Sequence, residues 1–153
     1  MNAQLKIAPA TGQYFKVLAD GTQVPMTDQR TDHVAVLDTT RNLLLYPQSI
    51  GVNGKRARQE KLKEAVAGLD VLGGNWRMAD VNEAASIIRR DRHDPAVDTN
   101  LFPGIKPGWH ATSTPAAWAP ASAAWFVYFN DGGVVDGNLD YEGWALAVRP
   151  AGQ

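Results

Sequence analysis

The chain has 153 residues, a net charge of −1 and no cysteine, with 44% hydrophobic and 20% charged residues. A chain of this length folds as one domain that removes roughly 70% of its unfolded surface from water, so it needs no covalent staple. Near-neutrality removes the electrostatic case for binding nucleic acid or an anionic membrane, and the lack of cysteine excludes disulfides, thiolate metal sites, cysteine nucleophiles and iron–sulfur clusters.

The opening stretch, MNAQLKIAPATGQYF, lacks the charged head and apolar core of a secretory signal, and no apolar run approaches the roughly 18 residues of a membrane helix. The expectation is cytoplasmic synthesis without a signal peptide or membrane insertion, the product staying there or joining a larger particle such as a virion. Residues 1–32 hold two strand-like pieces, LKIA and YFKVLA, then DGTQVP, whose Asp20-Gly21 step signals a hairpin. This segment is read as a small β-hairpin and attachment arm, and residues 33–153 as the main domain. HVAVLD (33–38) and NLLLYP (42–47) are strand-length apolar runs and predict a second antiparallel pair.

The period then changes. In GKRARQEKLKEAVAGLD (54–70), Leu62, Ala65, Val66 and Leu69 recur at helical spacing, with Lys and Glu on the other face. ADVNEAASIIRRDRHD (79–94) repeats the pattern at Val81, Ala84, Ala85 and Ile88. Asp80 and Glu83 have capping-box spacing, the first side chain accepting from free backbone N–H groups and the second reaching back. Arg89, Arg90 and Arg92 fall where the C-terminal dipole of such a helix favours cations. Beyond Pro95, GWHATS (108–113), AAWFVYFNDGGVV (123–135) and GWALAVRP (143–150) read as strands between Gly/Asn/Asp turns. Strands, two helices and strands again make an α+β chain with a mainly antiparallel sheet.

Charge is unevenly spread. Lys55 to Arg92 holds nine Lys/Arg against six Asp/Glu, whereas residues 107–148 hold no Lys or Arg and four acids, Asp131, Asp136, Asp140 and Glu142. The last third therefore presents an acidic, aromatic surface.

NWRMADVNEA, FPGIKPGWHATS, AWFVYFNDGGV and ALAVRP, in this order and spacing, resemble the DUF1566 family, which includes the C-terminal domain of a Legionella collagen-like adhesin. The likeness covers roughly residues 34–150. Met78 and Ala79 stand where members usually have Leu and Pro, GWHAT replaces a Y-W-S-S-T pattern, and Leu146 and Ala147 stand where an Arg and a Cys are frequent. The resemblance implies a C-type-lectin-like fold related to that of the formylglycine-generating enzyme: a twisted antiparallel sheet flanked by two helices, with long loops forming a recognition face. It also implies a sugar- or protein-binding module, of the kind found on adhesins and phage particles.

Catalytic patterns are missing. His33, His93 and His110 are scattered in sequence, and there is no G-x-S-x-G, H-E-x-x-H, P-loop or G-x-G-x-x-G. No catalytic residue and no cofactor is expected. Asp136, Asn138, Asp140 and Glu142 alternate as in the first half of a calcium loop, but Tyr141 takes the glycine position and Ala147 the closing glutamate position. That excludes an EF-hand and leaves an improvised Ca²⁺ site, with Asn130 or Asp131, as the weaker expectation.

The stronger expectation is a recognition surface of Trp118, His110, Thr112, Tyr128, Asn130, Asp131, Asn138, Asp140 and Tyr141. Aromatic faces stack on sugar rings or anchor protein contacts, and Asn and Asp supply directed hydrogen bonds. Trp76, Arg77, Asp80, Glu83, Trp109 and Trp125 are read as framework, with Arg77 held in an ion pair or in backbone contacts. The partner is a glycan or a protein, with a homo-oligomer, a decoration subunit of a virion or an inhibitor of a host protein as the alternative.

Overall fold

The computed structural model describes residues 14–152. Strands β1 (Tyr14–Val17) and β2 (Gln23–Pro25) pair antiparallel about the Asp20-Gly21 turn. Gly21 holds a φ of +88° there, a conformation that costs a residue without Cβ little. The LKIA piece lies outside the described residues. Strands β3 (Ala35–Asp38) and β4 (Leu43–Leu45) form the second antiparallel pair that the apolar runs predict. β1 also pairs with β3, Phe15 opposite Leu37. From Tyr14 to Pro25, then, the stretch read as an arm is built into the sheet that carries the following strands.

Helix α1 (Gln59–Ala67) is shorter than the 54–70 span its period predicts. The residues before it are engaged elsewhere: Val52 bridges Lys55, and Ala57 bridges Gly143. Leu62 and Val66, one turn apart, are fully buried, which fixes the face that α1 turns inward. Strand β5 (Arg77–Met78) leads into α2, which is only Val81–Ala85 where the apolar period predicts 79–94.

Tertiary hydrogen bonding overrides that period. The Ser86 hydroxyl donates to the Glu83 carbonyl at 2.6 Å. The chain then folds back, with Arg89 N–H on Ala96 O and Ala96 N–H on Phe129 O. Arg89, Arg90 and Arg92 are therefore not at a helix C-terminus. Arg89 pairs with Asp91 at 2.8 Å, and Arg90 donates to the Gly132 carbonyl at 2.9 Å.

The C-terminal strands are β6 (Trp109–Pro115), β7 (Ala123–Tyr128), β8 (Gly133–Asn138), β9 (Trp144–Ala145) and β10 (Ala147–Pro150). In place of the single sheet expected there are two, ordered β9-β6-β7-β8 and β2-β1-β3-β4-β10-β5. Pairing is antiparallel except between β9 and β6. The closing run GWALAVRP is shared: β9 joins the smaller sheet and, one residue later, β10 inserts between β4 and β5 of the larger one.

Adjacent residues of one strand point to opposite faces, and here both faces are covered. Phe126 packs with Leu62, Val66, Trp76 and Ala111, whereas Val127 packs with Ala84, Ile87, Leu146 and Val148. α1 thus covers one face of β7 and α2 the other. In the larger sheet Leu44 and Leu45 divide between the same two clusters, so the two cores are continuous through both sheets.

Candidate recognition face

The segment before α2 is held from several directions at once. Leu72, Gly73, Gly74 and Asn75 have φ values of +51°, +89°, +85° and +70°, a left-handed run that the two glycines make feasible. Arg149 on β10 donates from one nitrogen to Leu72 O at 2.8 Å and Gly74 O at 2.6 Å, and the Trp76 indole donates to Val71 O at 2.8 Å. Trp76 is 4% exposed and meets Tyr46 edge-on at 5.8 Å.

Arg77 grips Glu83 with two bonds of 2.7 Å. Glu83 also accepts the Asp80 N–H at 2.9 Å, while Asp80 accepts the Glu83 N–H at 2.8 Å, completing the capping box. The Arg77 bond holds the Glu83 carboxyl below the usual carboxylate range, against the opposing effect of burial. Arg77, Asp80 and Glu83 thus share one hydrogen-bonded network, and Trp76 next to it is tied separately to Val71 O.

The acidic third is organised around aromatic contacts. Trp109 packs against Phe126 at 5.1 Å, Tyr128 at 5.4 Å and Tyr141 at 5.6 Å. Trp125 is half-buried and meets Trp118 edge-on at 5.5 Å, leaving Trp118 64% exposed. The exposed large hydrophobic side chains of the described chain are Trp118, Val134, Val135 and Tyr141, all within this one region. It carries none of the 15 Lys and Arg residues.

Two residues expected on this face are elsewhere. His110 is fully buried and packs edge-on against Phe129 at 4.6 Å. Its Nδ1 lies 3.1 Å from Gly108 O and its Nε2 2.7 Å from the Ser49 hydroxyl. A carbonyl only accepts, so Nδ1 carries the proton and Nε2 accepts from Ser49. Burial pushes the His110 pKa down to about 4, the Gly108 bond opposing it. Thr112 is likewise buried, its hydroxyl donating to Trp125 O at 2.7 Å. Both faces of β6 are covered: His110 and Thr112 lie on the side of Phe129 and the α2 cluster, and Ala111 between them is buried in the α1 cluster.

The polar candidates serve their own turns. Asp131 accepts from Gly133 N–H at 2.9 Å and Asn138 from Asp140 N–H at 2.8 Å. Asn130 is half-buried, with a shielded Oδ1 that has no partner among the described residues. Asp140 faces Arg58 of the α1 N-terminus at 3.4 Å, across a cleft of about 210 Å³ lined by Arg58, Gln59, Glu60, Leu139 and Asp140. Asp136 and Glu142 are exposed, and among the described residues no three His, Cys, Asp or Glu side chains come together as metal ligands.

Three polar anchors escape a reading of periodicity: Ser49, Lys16 and Arg149. Lys16 is fully buried on β1, its ammonium donating to the Asp28 and Arg30 carbonyls and to Asn100 Oδ1. Three acceptors match the three protons of an ammonium. A lone Lys in YFKVLA and a lone Arg in ALAVRP are the signals that mark such anchors.

Residues 29–150 match the family model described as the Lcl C-terminal domain. The chain belongs to this family. No curated protein and no solved structure matches it. The Lcl C-terminal domain match begins after β2, so β1 and β2 lie outside the matched span yet inside the larger sheet. Within that span the family-like fragments supply Trp76, Phe102, Phe126 and Arg149, all buried. What resembles the family most is framework, and the exposed Trp118 lies between two of its fragments.

Proposed function

We propose that this Lcl C-terminal domain is a non-catalytic recognition module with a C-type-lectin-like arrangement, binding a glycan or a protein surface through Trp118 and Trp125, with Tyr141 exposed on the opposite side of the smaller sheet. The observation that carries this reading is that every exposed large hydrophobic side chain of the described residues falls in the acidic 107–148 stretch, with Trp118, the most exposed of them, packed on the half-buried Trp125. Isolated apolar residues on a surface are ordinary, but a clustered aromatic group rimmed by polar side chains marks interaction sites. A tryptophan edge-packed on a second tryptophan is also held in place before a ligand arrives, which limits the ordering cost of binding.

The Ser49–His110 pair supports the non-catalytic part of the reading. A histidine held neutral down to about pH 4 is a poor acceptor for a serine proton at neutral pH.

Screening the protein against glycan arrays and immobilised protein ligands, with Trp118→Ala beside the parent, tests the proposal. Retention of a ligand by the parent and its loss by the variant is the expected result. Equal retention by both would place the binding surface elsewhere, and turnover of any substrate would overturn the non-catalytic reading.

A further inference from the structure

The ends of the two sheets are unequal. In the larger sheet the outer strands are β2, three residues ending in Pro25, and β5, two residues long. In the smaller sheet β9 is two residues long, but β8 has six, with an unbroken register against β7 from Asn138–Ala123 to Gly133–Tyr128. Shortness and proline blunt an edge, since an unpaired row of N–H and C=O groups invites another strand. β8 has neither protection, nor a lysine or a bulge, and its outer side has no strand partner among the described residues.

The ladder identifies the free groups. Leu139 N–H bonds to Ser122 O at 3.0 Å, one step beyond the Ala123–Asn138 pair. Hydrogen-bonded and non-bonded pairs alternate along an antiparallel ladder, so Gly133, Val135 and Gly137 turn their backbone groups toward β7. Val134 and Asp136 turn theirs outward. Val134 is 38% exposed and Asp136 is exposed, so the edge offers main-chain bonds with one apolar and one acidic side chain between them.

We propose that β8 takes up an extended basic peptide segment of a partner protein as an added antiparallel strand, its main chain bonding to Val134 and Asp136. This rests on the recognition reading above and specifies its partner. Charge chooses the occupant: the 107–148 stretch has four acids and no Lys or Arg, the distant Arg90 and Arg58 meet it at Gly132 and Asp140, beyond the two ends of β8, and Asp136 on the edge itself is complemented by a strand alternating apolar and basic residues. A second copy of β8 offers Asp136 no cationic partner, since its six residues include no Lys or Arg. Main-chain pairing supplies affinity and alternate side chains supply selectivity.

The probe is a blocked peptide of alternating valine and lysine, with a valine–glutamate peptide as its counterpart, measured by titration calorimetry and amide hydrogen exchange. The valine–lysine peptide should bind and slow exchange at Val134 and Asp136, and the glutamate peptide should not bind. Val134→Pro removes one outward N–H and leaves the β7 ladder intact, so it should weaken binding about tenfold, the worth of one hydrogen bond. Asp136→Lys keeps its backbone N–H and should exchange the preference between the two peptides, which keeps the test decisive if proline disturbs the hairpin.

Equal binding of both peptides, or protection elsewhere, would overturn the proposal. So would a concentration-dependent dimer that Val134→Pro abolishes, which would make a second copy the occupant. If Trp118→Ala abolishes ligand binding while Val134→Pro and Asp136→Lys change nothing, strand addition fails and the recognition face stands. If none of the three variants alters binding, both readings fail.

Discussion

Trp76 is 4% exposed and Trp118 is 64% exposed, and the polar groups around them are used differently. Around Trp76, hydrogen bonds run between distant parts of the chain: Arg149 to Leu72 and Gly74, and Arg77 to Glu83 at the start of α2. Among the exposed side chains of the acidic third, bonds join near neighbours, Asp131 to Gly133 and Asn138 to Asp140, and the distant Arg58 reaches Asp140 only at 3.4 Å. The first kind ties strands and helices together, so its loss is felt as stability. The second shapes local turns and leaves aromatic surface facing solvent, so its residues can change with little effect on the fold.

The largest expected effect lies at Trp76. Trp76→Ala removes a buried aromatic that touches Tyr46 and the α1 core, and should cost about 3–5 kcal/mol in denaturant unfolding. A loss within error of zero would break the comparison at its strongest point.

Next is His110. Its folded pKa of about 4 lies below the ordinary histidine value, so below pH 6.5 the unfolded chain binds a proton that the folded chain refuses. Stability from this group is complete above pH 6.5 and falls as pH drops toward 4, by up to roughly 1.4 kcal/mol per pH unit. Unfolding curves between pH 7 and 4 should show that slope, and His110→Gln should flatten it. An unchanged slope in the variant would mean that His110 is not the group responsible.

His110 also shows how far the sequence could be read. The α+β class, the β1–β2 and β3–β4 pairs and the capping box all rest on local chemistry, namely turn glycines, alternation, and an Asp and Glu three residues apart. Each is found in the structure. Helix lengths were not legible, because α1 loses its start to the Ala57–Gly143 bridge and α2 loses its end to the Arg89–Ala96 bond. These are partners far away in sequence. On the candidate site, composition singled out the acidic aromatic third, but not which of its residues the rest of the chain covers. Covering of β6 on both faces buries His110, Ala111 and Thr112, whereas Trp118 lies past its end, in the loop before β7. The Ser49–His110 contact joins residues 61 positions apart, and no spacing rule would pair them.

Arg77 and Glu83 sharpen the contrast within the framework. Arg77 has a side chain 48% exposed, so the pair is screened by solvent and Arg77→Ala should cost about 1 kcal/mol or less. Glu83→Ala loses the same pair and half of the capping box, and should cost about 1–2 kcal/mol. A double-mutant cycle read by chemical denaturation separates the shared part. If Arg77→Ala kept full stability yet lost ligand binding, Arg77 would move from the framework to the recognition face.

The smallest stability change is expected at Trp118. Its only aromatic neighbour among the described contacts is Trp125, met edge-on at 5.5 Å, and most of its surface is already in water. Trp118→Ala should therefore shift unfolding by under about 1 kcal/mol, as for a surface substitution away from caps and cores. The same variant should lose most of its ligand binding, because an exposed aromatic anchor contributes far more to an interface than to the free protein. Measuring both quantities on one preparation sets Trp118 against Trp76, for which loss of stability is expected instead. If Trp118→Ala unfolds as Trp76→Ala does, the Trp118–Trp125 contact is part of the core, and the division between framework and recognition face must be redrawn around it.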